Sequence, residues 1–167
     1  MKNIVLICVI VLVVFSLDML ARVVQQTQIL AQFKKGEIQF KQGGKEYLWT
    51  LKSGKLESMK FNVGDTPMEI RSIHLIYVSS DKKENCLFAL TDVLNPGKYG
   101  KDHVGSFSVV TALGYSFFNI KKSDCQITLL QLDRRKVGGT IVFTGEMDDG
   151  KGGKGIPITG LKFSATP

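Results

Sequence analysis

The chain has few of the residues that most site chemistries need. Its 167 residues include two histidines, His74 and His103, and three cysteines, Cys8, Cys86 and Cys125. A zinc centre draws three or four ligands at recognisable spacing, and that spacing is missing here. His74 falls in the middle of a predicted strand and His103 follows Asp102 in a loop, so both read as structural residues. No cysteine carries a motif or a histidine partner that would make it a nucleophile. Proline is scarce, at 4, while glycine is frequent, at 17. That balance fits tight turns rather than disorder. There is no repeat of fixed period, no low-complexity tract, and no amphipathic helical pattern after Phe33. No spacing singles out a carboxylate pair for acid–base work. The sequence therefore assigns no catalytic residue, no cofactor and no metal, and it does not read as an enzyme.

Arginine is also sparse. Past Val24 it occurs only at Arg71, Arg134 and Arg135, although 20 Lys and Arg face 14 Asp and Glu there. The whole chain carries a formal charge of +7. A basic surface favours phosphates, anionic lipid and acidic polymers. The lysines, however, are spread in pairs (Lys34 and Lys35, Lys82 and Lys83, Lys121 and Lys122), as on a solubilising surface. Nucleic-acid readers gather Arg and aromatic residues on one element, and none does so here. No nucleic-acid partner is expected.

Long apolar runs are absent except for one. Ile4 to Leu17 is unbroken by any charge and follows Lys2 almost at once. Its length suits the apolar core of an export signal. Extended through Val24, with Asp18 and Arg22 snorkelling to the interface, it is long enough to span a bilayer. Two readings stay open. Residues 1–24 are an uncleaved membrane anchor, or a signal removed near Ala21, where Met19 is large for a peptidase that prefers small residues. Cys8 lies inside the run rather than after it, so it is not a lipoprotein cysteine. The flanking basic residues Arg22, Lys34 and Lys35 favour a cytoplasmic C-terminus by count. The Lys-led apolar core argues for export, which is the expectation adopted. Residues 25–35 read as a helical stalk or linker.

From Gly36 the hydrophobic period becomes two. Ile38 and Phe40 alternate with polar residues, Gly43-Gly44 supplies a two-residue hairpin turn, and Glu46 to Leu51 returns. Ser53-Gly54 reads as another turn, Lys55 to Phe61 as a strand and Asn62 to Pro67 as a loop. Met68 to Val78 is a longer strand with Ile73, Leu75 and Tyr77 on one face. Further strands are predicted at Cys86 to Val93, Ser106 to Thr111, Tyr115 to Ile120, Cys125 to Leu132, Gly139 to Glu146 and Pro157 to Phe163. The expected fold is all-β: an antiparallel sandwich or barrel of about ten strands over residues 36–167, preceded by an N-terminal hydrophobic helix.

Cys86 and Cys125 open predicted strands. In an exported domain they offer a disulfide closing a loop of about 40 residues, worth roughly 3–4 kcal/mol in the chain-entropy account; the alternative is two free thiols. Asp148-Asp149-Gly150 lacks the alternating oxygens and closing acid of a calcium loop. Lys151 to Gly155 leads into a strand rather than the helix that a phosphate cradle needs. Both read as one hairpin loop. Tyr47, Trp49, Tyr77, Tyr99 and Tyr115 serve either a ligand surface or the core.

The C-terminal half, with Pro96-Gly97-Lys98-Tyr99, Cys125-Gln-Ile-Thr-Leu129, Val137-Gly-Gly-Thr-Ile-Val-Phe143 and Ile158-Thr-Gly-Leu-Lys-Phe163, resembles small all-β domains of unknown function found in bacterial secreted proteins and lipoproteins. The motifs are structural, and no functional residue carries over. The resemblance implies an exported β-domain. Together with the apolar run, it leads to the expectation of a membrane-tethered or secreted accessory protein of the bacterial envelope. Such a protein would be anchored in the inner membrane with its domain in the periplasm, or secreted after cleavage. Lipid would be contacted through Ile4 to Leu17, with further protein partners. The rival is a small-ligand or glycan-binding module.

Overall fold

Period-two patterning between glycine turns organises nearly the whole domain. A computed structural model describes residues 26–167. The run from Ile4 to Leu17 and the expected hydrophobic helix lie outside the described residues. The strands are β1 (Gln26–Phe33), β2 (Glu37–Gln42), β3 (Lys45–Val63), β4 (Thr66–Val78), β5 (Asn85–Thr91), β6 (Gly97–Tyr99), β7 (Val104–Thr111), β8 (Gly114–Phe117), β9 (Ser123–Leu132), β10 (Val137–Gly145) and β11 (Ile158–Ala165). Among the described residues the only helical segment is a 3₁₀ turn at Lys101–His103. The fold is all-β, as expected.

One antiparallel sheet runs in the order β6-β9-β10-β11-β2-β3-β4-β5-β7-β8, with β1 paired to β3 off this path. It is curled into a half-barrel. The chain itself enforces the curl. From β5, near one end of the path, it crosses to β6 at the other end, then returns to β7. The inner face carries a single core. Ile38 and Phe40 of β2, Ile73, Leu75 and Tyr77 of β4, Phe88 and Leu90 of β5, and Ile127 and Leu129 of β9 are almost completely buried. Contacts cross the interior: the Phe88 ring meets Phe163 edge-on at 4.8 Å, and Phe107 meets Phe143 at 4.5 Å. The Tyr77 hydroxyl donates to the Ser164 carbonyl at 2.9 Å. Burying each such aromatic contributes roughly 2–3 kcal/mol. At the seam, Phe117 and Asp148 exchange backbone hydrogen bonds of 2.9 and 3.0 Å.

Two glycine features fix the register. Gly43 and Gly44, at φ 57° and 80°, form the turn between Gln42 and its partner Lys45, as expected. At Gly36 the chain passes from β1 to β2 against β11, and a Cβ there would lie 2.1 Å from the Ser164 carbonyl oxygen.

Three expectations need correction. Residues 26–33 are not a helical stalk but β1, laddered antiparallel to Gly54–Lys60 of β3. Phe33 is 2% exposed, and Leu30 and Ala31 also pack on the core. The loosely helical, Gln-rich pattern loses to the open edge of β3, whose backbone groups need partners. Ser53-Gly54 is not a turn. β3 runs straight through it, with a bulge that leaves Lys52 unpaired between Leu51 and Ser53. Asn62 to Pro67 is not an open loop. Val63 pairs Thr66, so the turn is Gly64-Asp65 alone, with Gly64 at φ 61°.

Candidate functional site

The most unusual surface lies at the far end of the β3–β4 hairpin, and the Lys52 bulge creates it. Before the bulge the odd-numbered residues of β3, Tyr47, Trp49 and Leu51, face the core. A one-residue bulge reverses that parity. Beyond it Leu56 and Ser58 are buried, while Met59, Phe61 and Val63 point outward. Across the ladder Met59 pairs Ile70, and Phe61 pairs Met68. Directly opposed residues share a face. The outer face therefore carries a run of apolar residues, with Val63 62% and Met68 45% exposed and Ile29 of β1 beside them at 52%.

The inner face of the same end is polar. Glu69 accepts from the Ser58 hydroxyl at 2.7 Å and from Arg71 Nε at 2.9 Å. These two donors hold its carboxyl below the usual range, with Arg71 the larger influence. Arg71 also donates to the Leu94 carbonyl at 3.2 Å. Glu69 and Arg71, with Gln28, Lys60 and Arg134, line a cleft of about 290 Å³. Two of the three arginines singled out in the sequence, Arg71 and Arg134, thus meet here; nothing in their spacing announced it.

Nearer the bulge, an apolar groove of about 320 Å³ lies among Ile29, Phe33, Gly54, His74 and Ile76. At its rim Glu57 accepts from Lys55 Nζ at 2.8 Å and faces His74 Nε2 at 3.4 Å. Desolvation, reinforced by Lys55, lowers the His74 pKa, while Glu57 opposes the shift. His74 is a half-buried strand residue on the outer face. His103, in the 3₁₀ turn, packs edge-on against Tyr99 at 4.8 Å, and its Nδ1 lies 3.0 Å from the Thr91 carbonyl. Among the described residues no group of three His, Cys, Asp or Glu is placed to hold a metal ion.

Cys86 on β5 and Cys125 on β9 are buried free thiols, not the bridge offered as one of two readings. Burial pushes the Cys86 thiol well up, and burial with Asp124 and Asp102 pushes Cys125 up to about 11. Both are therefore poor nucleophiles at neutral pH. The loop from Asp148 to Gly155 joins β10 to β11, as expected. Asp148 accepts from the Gly150 N–H at 2.9 Å, Lys122 Nζ at 3.2 Å and Asn119 at 3.3 Å, and the first of these does most to lower its pKa. That geometry closes a turn. Of the aromatics, Tyr47, Trp49 and Tyr77 belong to the core and Tyr99 is half-buried, while Tyr115, at 40% exposure, lies beside Phe117 with ring centres 5.8 Å apart.

Compared with known proteins, the chain matches no family model, no curated protein and no solved structure.

Proposed function

We propose that the chain is a membrane-tethered β-domain of the bacterial envelope that works by binding, as an accessory subunit of a larger assembly. The observation that carries this reading is the junction between its two parts. Ile4 to Leu17 is an apolar run of membrane character, and the sheet ladder begins at Gln26. Only residues 18–25 lie between, a reach of at most roughly 28 Å even when fully extended. A domain joined so closely to a bilayer is confined to its surface, where partners in the same membrane meet it at high effective concentration.

Native electrophoresis of the full chain, extracted from membranes in mild detergent, tests the accessory role. Migration well above its own mass of 18.5 kDa, with cross-links to one partner that vanish after harsh detergent, is the expected result. A chain that migrates alone under every condition overturns the accessory reading.

A further inference from the structure

We propose that the turn end of the β3–β4 hairpin is a membrane-contact tip, seated in the interfacial layer of the same bilayer that receives Ile4 to Leu17; this rests on the tethered reading above. The register supplies the first reason. β1 runs antiparallel to β3, and Gln26 pairs Lys60. The described chain therefore begins at the end of the sheet toward which Phe61, Asn62 and Val63 project. These residues and the turn reach roughly 10 Å past the last β1 pairing, at about 3.3 Å per residue. The start of β1 and the tip thus lie at the same end of the domain.

The second reason is the chemistry of that end. Val63 and Met68 are 62% and 45% exposed, and Met59, Phe61 and Ile70 are half-buried behind them on the same face. Without the Lys52 bulge, Met59, Phe61 and Val63 would continue the inward parity of Tyr47 and Trp49. The fold instead turns them out at the end of the domain where β1 begins. Charge near the turn is balanced, with Asp65 in the turn and Lys60 behind it on β3. Contact there is consequently apolar in drive, with the Lys60 stem free to snorkel. A bilayer interface fits these features, whereas a charge-reading partner does not.

The test places a fluorophore in the full chain reconstituted into vesicles of phosphatidylcholine and phosphatidylglycerol whose acyl chains carry bromine, a short-range quencher. Val63→Trp and Met68→Trp are the probes. Leu48→Trp, on the other half of β3 and 65% exposed, is the control, and the native Trp49 signal is subtracted using the unaltered chain. All three sites are exposed, and matching far-UV circular dichroism establishes that each variant folds. Both tip probes should be quenched at least about twofold more than Leu48→Trp, as for an aromatic at the membrane interface. That quenching should survive about 0.5 M salt. Vesicles that float with the protein while the tip probes behave like Leu48→Trp would overturn the tip contact and leave the tether standing. Protein that does not float would overturn both. A blue-shifted Val63→Trp emission that ignores bromine and depends on protein concentration would mean that a second copy covers the tip, which also overturns the proposal.

Discussion

The two halves of the β3–β4 hairpin share one ladder and differ in which face is apolar. Near the β2 turn, Tyr47, Trp49 and Leu51 pack inward, and Leu48 and Thr50 face solvent. Leu75 and Tyr77 of β4 sit in the same core at 0% exposure. Beyond Lys52 the inner positions pass from Leu56 to Ser58 and Lys60, and the outer positions become Met59, Phe61 and Val63. In β4 there is no bulge. The change of face is written directly in its sequence, between outward Ile70 and inward Ile73. A bulge in one strand and a shift of pattern in the other therefore give the same result. The half that carries the core is a stability device, and the half that exposes its apolar face is the surface proposed for contact.

Inserting one alanine after Gly54 should break this contrast most severely. Taken into the ladder, the extra residue flips every later position of β3, turning Leu56 out and Met59, Phe61 and Val63 in against Ile70 and Met68, which stay outside. A loss of about 2–5 kcal/mol, or failure to fold, is expected from chemical denaturation, comparable to removing a buried leucine. An insertion variant as stable as the parent would mean that the facing of the far half sets nothing. Next in size is a paired truncation. Leu75→Ala in the core half should cost about 2–5 kcal/mol, whereas Val63→Ala in the exposed half should fall within about 0.5 kcal/mol of the parent. Equal costs would show that the far half is packed against something.

The smallest effect lies where the halves meet. The folded protein depresses the His74 pKa, so it disfavours the protonated ring more than the unfolded chain does. That contribution to stability is complete above the unfolded value of about 6.5 and is lost as pH falls through the lower folded value. Denaturation midpoints should decline gently between about pH 7.5 and 5.5, a window above that of the lowered carboxylates. His74→Gln should flatten the decline. An unchanged slope would place its origin elsewhere.

Much of the fold is legible in the sequence because its signals are local. Gly43-Gly44 declares its hairpin, the Ile73-Leu75-Tyr77 face follows from simple alternation, and the later strands lie within a few residues of expectation. What is not legible depends on distant partners. β1 becomes a strand because β3 has an open edge and the core has room for Phe33, and nothing within Gln26–Phe33 states either condition. The Lys52 bulge leaves no composition signal; Ser53-Gly54 after it reads as a turn by propensity alone. Gly64-Asp65 was readable as a two-residue turn, but neighbouring Asn62 and Pro67 made the region look like a longer loop. The apolar tip was partly visible as Met59, Phe61 and Val63 at alternate positions, yet only the bulge decides which way they face. The meeting of Arg71 with Arg134 is a product of the curl and could not be read at all.

The account as a whole depends on the N-terminal segment staying with the domain in the membrane. Intact-mass measurement and N-terminal sequencing of the protein from washed membranes and from the soluble fraction test this most directly. The account predicts a membrane-bound species that retains Ile4 to Leu17, with little in the soluble fraction. A soluble species beginning near Arg22, with none left in the membrane, would contradict it.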